Sequence, residues 1–159
     1  MIIAIRRYDP GDLNAAAHLW YQSWLSTGLA VTRLASEDAM RQRIGRELAS
    51  GWSLHLAEDD AGELVGLLAL RPADGCLDQI FVAPEAQHRG IGTKLLDFAK
   101  QQMPGGFWLR TAVDNIGACR FYQRHGLTPG ETAVHPTLGH RTVIYRWSAC
   151  CRECERPGG

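Results

Sequence analysis

The sequence predicts one mixed α/β domain, a central mixed sheet of about seven strands flanked by about four helices in the order β-α-α-β-β-β-α-β-α-β-β. Three observations carry this. Two apolar runs, Trp52 to Ala57 and Leu64 to Leu70, are joined by a polar segment containing Gly62, which forms an antiparallel hairpin. Two later segments with helical spacing lie between strand-like runs and so make crossovers between parallel strands. The chain has 159 residues, 45% of them hydrophobic and 21% charged, enough for one hydrophobic core and too few for two ordinary domains.

Each element has a local cause. Ile2 to Tyr8 reads as a short strand, after which Asp9 caps a helix with Pro10 at its first position. Leu13, Ala17, Trp20, Tyr21 and Trp24 fall on one face of that helix, which extends to about Leu25. Ser26 to Leu34 is a loop. Ser36 then caps a second helix, with Met40, Ile44 and Leu48 along its apolar face and Gly51 beyond its end. After the hairpin, Pro72 to Gly75 turns the chain into a strand from Cys76 to Val82, stopped by Pro84. A helix opens at Gly90 and ends at Pro104-Gly105-Gly106. Phe107 to Thr111 is a strand, Asn115 to His125 a helix closed by Gly126, and two strands follow near Thr132 to His135 and Thr142 to Trp147. The domain is expected to span residues 1–147, with 148–159 a short disordered tail.

Charge and cysteine content narrow the function. The 17 basic residues balance the 17 acidic ones, so no net field draws the chain to nucleic acid or to an anionic membrane. The apolar start runs straight into Arg6, Arg7 and Asp9 without a signal-peptide pattern, and Leu64 to Leu70 falls far short of the about 18 residues of a membrane helix. A cytoplasmic protein is expected. Cys76, Cys119, Cys150, Cys151 and Cys154 are odd in number and crowded at the end, which is not a disulfide framework. A zinc site on the terminal cysteines with His135 and His140 lacks apolar residues to hold its geometry, so a frayed terminus and no metal is the expectation.

The chemistry lies in Leu77 to Gly92. Strand, proline stop and polar loop lead to Gly90 and Gly92 at the start of a helix, where unpaired N–H groups can meet a phosphate. This is not a P-loop, since Thr93 precedes Lys94 and no glycine stands before the lysine. Nor is it the dinucleotide fingerprint, which would need glycine where Leu95 stands.

Gln87-x-x-Gly90-x-Gly92 after Val82-Ala83-Pro84 resembles the Q/R-x-x-G-x-G/A loop of the GNAT superfamily of acyl-CoA-dependent N-acetyltransferases. A second block, Asn115-Ile116-Gly117-Ala118-Cys119-Arg120-Phe121-Tyr122-Gln123-Arg124-His125-Gly126-Leu127, resembles that family's N-x-x-A-x-x-F-Y-x-x-x-G-F, with Leu127 in place of the usual aromatic. The resemblance covers Ile2 to Trp147.

It implies acetyl-CoA as donor, a primary amine of a small molecule, peptide or protein as acceptor, and direct attack in a ternary complex. Backbone groups at Ile80, Phe81 and Val82 would bind the pantetheine arm, with the Val82 N–H facing the thioester oxygen. Gln87, His88, Arg89, Gly90, Ile91, Gly92 and Thr93 would hold the pyrophosphate, and Asn115 and Tyr122 would line the arm. Tyr122 matches the family's acid for the leaving thiolate, and Asp78 is placed to take the amine's proton. The resemblance also leaves open a homodimer through the last strands.

Plainer roles stand beside these. The glycines serve a tight turn, Tyr122 packs a helix, Asn115 caps one, Asp78 faces solvent or pairs with an arginine, and Trp20, Tyr21 and Trp24 form core. A non-catalytic acyl-CoA sensor is the alternative function, against which Tyr122 speaks.

Overall fold

The computed structural model describes residues 2–27 and 36–149; most of the loop from Ser26 to Leu34, and Cys150, Cys151 and Cys154, lie outside them. In chain order the elements are β1 (Ala4–Arg7), a 3-10 turn (Pro10–Asp12), α1 (Leu13–Leu25), α2 (Glu37–Ala49), β2 (Ser53–Glu58), β3 (Leu64–Arg71) and β4 (Cys76–Val82). There follow α3 (Ile91–Gln102), β5 (Phe107–Ala112), α4 (Ile116–Arg124), β6 (Thr128–Val134) and β7 (Arg141–Trp147). The strands form one sheet in the order β1-β2-β3-β4-β5-β7-β6. Among the described residues only β4 and β5 pair in parallel, and α3 is their crossover. No helix among the described residues is long and apolar enough to cross a membrane.

Two elements differ from expectation. The first helix does not begin directly at Pro10. Asp9 accepts the Gly11 N–H at 3.0 Å and Asp12 accepts the Asp9 N–H at 2.8 Å, so this capping box closes a 3-10 turn before α1. Strand β6 starts at Thr128, ahead of the expected Thr132, and includes Pro129 and Gly130. At the edge of the sheet a proline leaves no ladder bond unmade, which is why the strand tolerates it.

The two faces of the sheet follow from side-chain alternation. A Cβ placed on Gly66 would lie 2.9 Å from Leu95 and 3.3 Å from Ile91, so α3 packs against the face of β3 that carries Gly66 and Leu68. On the other face Phe81, opposite Leu67, meets Trp20 of α1 with ring centroids 6.1 Å apart, and Trp20 in turn meets Trp52 at 5.7 Å. Leu56, Leu67, Leu68, Leu95 and Leu96 are fully buried between these layers. Each such leucine stabilises the fold by roughly 1.5–3 kcal/mol relative to an exposed one.

The register of β3 on β4 slips at one point. Ala69 faces Gln79 but Leu70 faces Leu77, which makes Asp78 the extra residue of a β-bulge. A bulge bends its strand and raises the local twist. Beyond it, β4 and β5 part: their register holds one pair, Cys76 with Trp108, where the Trp108 N–H also reaches the Gly75 carbonyl at 3.0 Å.

Candidate active site

The parting strands open a cleft of about 1110 Å³ lined from both faces of the sheet. On the α3 side its mouth is the loop from Gln87 to Thr93. His88 and Gly90 have left-handed backbone, with φ of 65° and 80°. For a non-glycine residue such as His88 this costs roughly 1 kcal/mol or more, and it turns the chain sharply into α3. Gly90 is the N-cap and brings no side-chain cap, and the first helical bond is Lys94 N–H to the Gly90 carbonyl at 3.1 Å. The N–H groups of Ile91, Gly92 and Thr93 therefore have no intrahelical acceptor and sit at the positive end of a 12-residue helix, an anion site.

Other contacts hold this loop in shape. The Gln87 amide donates to the Val82 carbonyl at 3.3 Å, tying loop to strand. A Cβ at Gly92 would lie 3.4 Å from the Phe121 ring, so glycine here also permits close packing of α3 on α4. His125 Nδ1 donates to the Phe121 carbonyl at 2.7 Å, which leaves Nε2 of the neutral ring to accept from the Thr93 hydroxyl at 3.0 Å. Of the residues expected around the pyrophosphate, Gln87, His88, Gly90, Ile91, Gly92 and Thr93 line the cleft, and Arg89 does not.

Strand β4 presents backbone to the cleft at alternate residues. The Ala83 N–H bonds to the Val65 carbonyl at 2.9 Å, which sets the ladder phase: Phe81 with Leu67 is a hydrogen-bonded pair, while Ile80 and Val82 direct their N–H groups away from β3 into the opening. Of the three expected backbone positions, Ile80 and Val82 are thus available to a ligand. Phe81 is engaged by its neighbour strand and offers its ring to the α1 side.

Helix α4 forms the opposite wall. Asn115 caps it, accepting the Ala118 N–H at 3.2 Å, and also lines the cleft, so the two roles coexist. Tyr122 is buried in the wall, its ring 5.6 Å from Tyr145 and 5.5 Å from Phe121. Burial, ahead of the nearby Cys119 and Tyr145, pushes its phenol well above the usual range, so it stays protonated at neutral pH.

Asp78 stands on the α1 side. Its Oδ2 accepts the Trp52 indole N–H at 2.6 Å and the Arg71 Nε at 3.3 Å, the arginine pairing that the plainer reading foresaw. Both bonds go to one oxygen and leave Oδ1 for another donor. Trp20 is core, as its spacing suggests, and together with the half-buried Trp24 it also borders the cleft.

Sequence reasoning missed the Thr93 to His125 link and the Trp52 to Asp78 tether. Neither has a spacing signal, because the partners are 32 and 26 residues apart. His135 and His140, considered for zinc, stack with centroids 5.1 Å apart, and among the described residues no three His, Cys, Asp or Glu side chains could hold a metal ion.

The chain belongs to the acetyltransferase (GNAT) family, whose model matches residues 14–127. It is an acyl-CoA-dependent N-acetyltransferase with acetyl-CoA as its donor. Among solved structures, apo YjaB from Escherichia coli superposes with a TM-score of 0.75 at 22% identity, over 92% of this chain and 98% of that one. The PaiA N-acetyltransferase of Thermoplasma acidophilum, solved with coenzyme A, gives 0.68 at 19% identity over 92% and 100%. The spermidine/spermine N-acetyltransferase SpeG of Vibrio cholerae gives 0.66 at 18% over 92% of each chain. These likenesses bear on the fold. Among curated proteins, none matches the chain in sequence.

Proposed function

We propose that the protein, with residues 1–147 as one catalytic domain, acetylates a primary amine by direct attack on the thioester in a ternary complex. The observation that carries this is the continuity of the cleft: an anion site at the start of α3, free backbone N–H groups at Ile80 and Val82, and a protonated Tyr122, all facing one opening through the sheet.

In this reading the pyrophosphate rests on the N–H groups of residues 91–93 and the pantetheine arm pairs with β4 as an added strand does at a sheet edge. The acetyl group then lies in the split between β4 and β5, and the amine comes from the face of α1 and α2. An alkylamine has a pKa of about 10 and must first lose a proton, to Asp78 Oδ1 directly or through water. Its nitrogen attacks the carbonyl carbon, and the Val82 N–H meets the oxygen on which charge develops. The C–S bond breaks, the thiolate takes the Tyr122 proton, and the phenol is restored from solvent. One proton is released for each ammonium acetylated.

The raised pKa of Tyr122 makes it a reluctant acid toward a thiolate in water. In the same dry wall the thiolate is destabilised too, which brings the two affinities together. Tyr122→Phe keeps the ring and removes the proton. Acetyl-CoA affinity and unfolding midpoint should stay at wild-type values while turnover falls by about 10²-fold, roughly 3 kcal/mol of barrier. Full turnover with the chemical step limiting would make Tyr122 a packing residue and water the acid.

A further inference from the structure

The α1 and α2 side of the cleft carries an imbalance of charge that bears on the acceptor. Two guanidiniums, on Arg43 and Arg110, line it beside one carboxylate, on Asp78, while Arg71 and Glu47 pair next to the lining. Arg71 engages both acids, pairing with Glu47 and reaching Asp78 at 3.3 Å. Arg43 lies 5.0 Å over the Trp20 ring and 3.8 Å from the same Glu47. Arg110 stacks 5.8 Å over Trp108, lines the cleft and has no carboxylate within ion-pair distance among the described residues. Asp78 is the one carboxylate among the described residues of the cleft lining.

Two imidazoles close this side from the turn between β6 and β7. His135 Nδ1 accepts the N–H groups of Thr137 and Leu138 at 3.2 and 3.0 Å, so that nitrogen is unprotonated. Burial first, and then His140, Arg110 and Arg43, hold His135 below its usual pKa, which places both arginines within electrostatic reach of the turn. His140 Nδ1 is buried with no hydrogen-bond partner, an unmet polar group in a residue that lines the cleft. A buried polar atom without a partner is costly, and a ligand that pairs with it recovers the loss.

We propose that the acceptor is an amine that carries a carboxylate on the same molecule, the carboxylate being held by Arg110 and His140 beside Arg43. This rests on the transferase reading above, with the amine entering from the α1 side. A guanidinium offers two parallel donors that match a carboxylate, and Trp20, Trp24 and Trp108 supply flat walls for an apolar segment between carboxylate and amine. A polyamine finds the opposite of what it needs: two cations with spare donors and one carboxylate already paired. The spermidine/spermine enzyme among the structural neighbours therefore shares the fold without setting the acceptor.

The test is calorimetry on the wild-type protein saturated with coenzyme A, which forms a dead-end complex. The ligands are the standard amino acids, their α-amides, γ-aminobutyrate with butylamine as its carboxylate-free match, and spermidine. At least one acid should bind about tenfold or more tightly than its amide or matched amine, a selectivity that a charged pair can supply. Arg110→Gln should abolish that gap, Arg110→Lys should keep part of it, and coenzyme A affinity should change in neither. Arg110 is exposed on β5, so folding is not at issue. The proposal is overturned if every acid binds no better than its carboxylate-free match, if spermidine binds best, or if Arg110→Gln leaves the gap intact. Failure to bind coenzyme A would instead overturn the donor reading.

Discussion

The donor half of the cleft comes from two stretches of chain, residues 80–93 and 115–125. The acceptor half draws Trp20, Arg43, Asp78, Arg110 and His140 from α1, α2, β4, β5 and the turn after β6. The first is built mainly from backbone: free N–H groups at a helix start, glycines that allow close approach, and a strand with one side unpaired. The second is built from side chains that only the fold brings together. Backbone sites constrain a short run of sequence, whereas side-chain sites can be assembled from anywhere, so one fold can keep a donor and change its acceptor.

The largest effect should come from damage to the backbone half. Gly92→Asp drives a side chain toward Phe121 and sets a negative charge beside the pyrophosphate. Acetyl-CoA affinity should fall by about 10²-fold or more, roughly 2.7 kcal/mol. Gly92→Ala, whose Cβ makes an ordinary contact at 3.4 Å, should lose far less. Calorimetry giving wild-type affinity for the aspartate variant would remove this loop from donor binding.

This division also governs what could be read in the sequence. The loop at Gln87, the glycines and the block from Asn115 to Leu127 were legible because their spacing is fixed by a strand end and two helix starts. Asp78 was legible as a polar residue on an apolar strand. That it forms a bulge, held by Trp52 from β2's edge and Arg71 from β3, was not, since bulges leave no periodic trace. Arg110 looks like any surface residue of a strand, and His140 like any loop histidine. The early start of β6 was hidden by Pro129, whose meaning depends on the strand being an edge.

A smaller effect probes the side-chain half. Asp78→Asn keeps an oxygen for the Trp52 indole and removes the base. Turnover should fall by about tenfold at neutral pH and less at high pH, where the amine deprotonates unaided, with acetyl-CoA affinity unchanged. A pH–rate profile of unchanged height and shape would leave Asp78 as a tether for Trp52 and Arg71.

Smallest is the response of stability to acid, which compares the acceptor side of the cleft with the core under α3. His55, packed on Phe98 of α3, and His135, in the turn after β6, are both held below the usual imidazole pKa, in each case first by burial. The folded state therefore prefers them neutral. Their contribution is fully present above a pH of about 6.5 and is lost as pH falls through the lower folded values. The urea midpoint should drop between pH 7 and pH 5, and hydrogen exchange should show the turn at 135–140 opening before the core of β2 and β3. A flat midpoint would contradict both assignments.

One continuous cleft lets an amine reach a thioester across the sheet, and free-thiol release from acetyl-CoA over a panel of amines, with mass spectrometry of the products, measures that reaction. Amine-dependent thiol release and an N-acetylated product are expected in equal amounts, both falling together in Tyr122→Phe. Tight binding of acetyl-CoA with no amine in the panel acetylated would contradict this and make the cleft the donor pocket of a sensor.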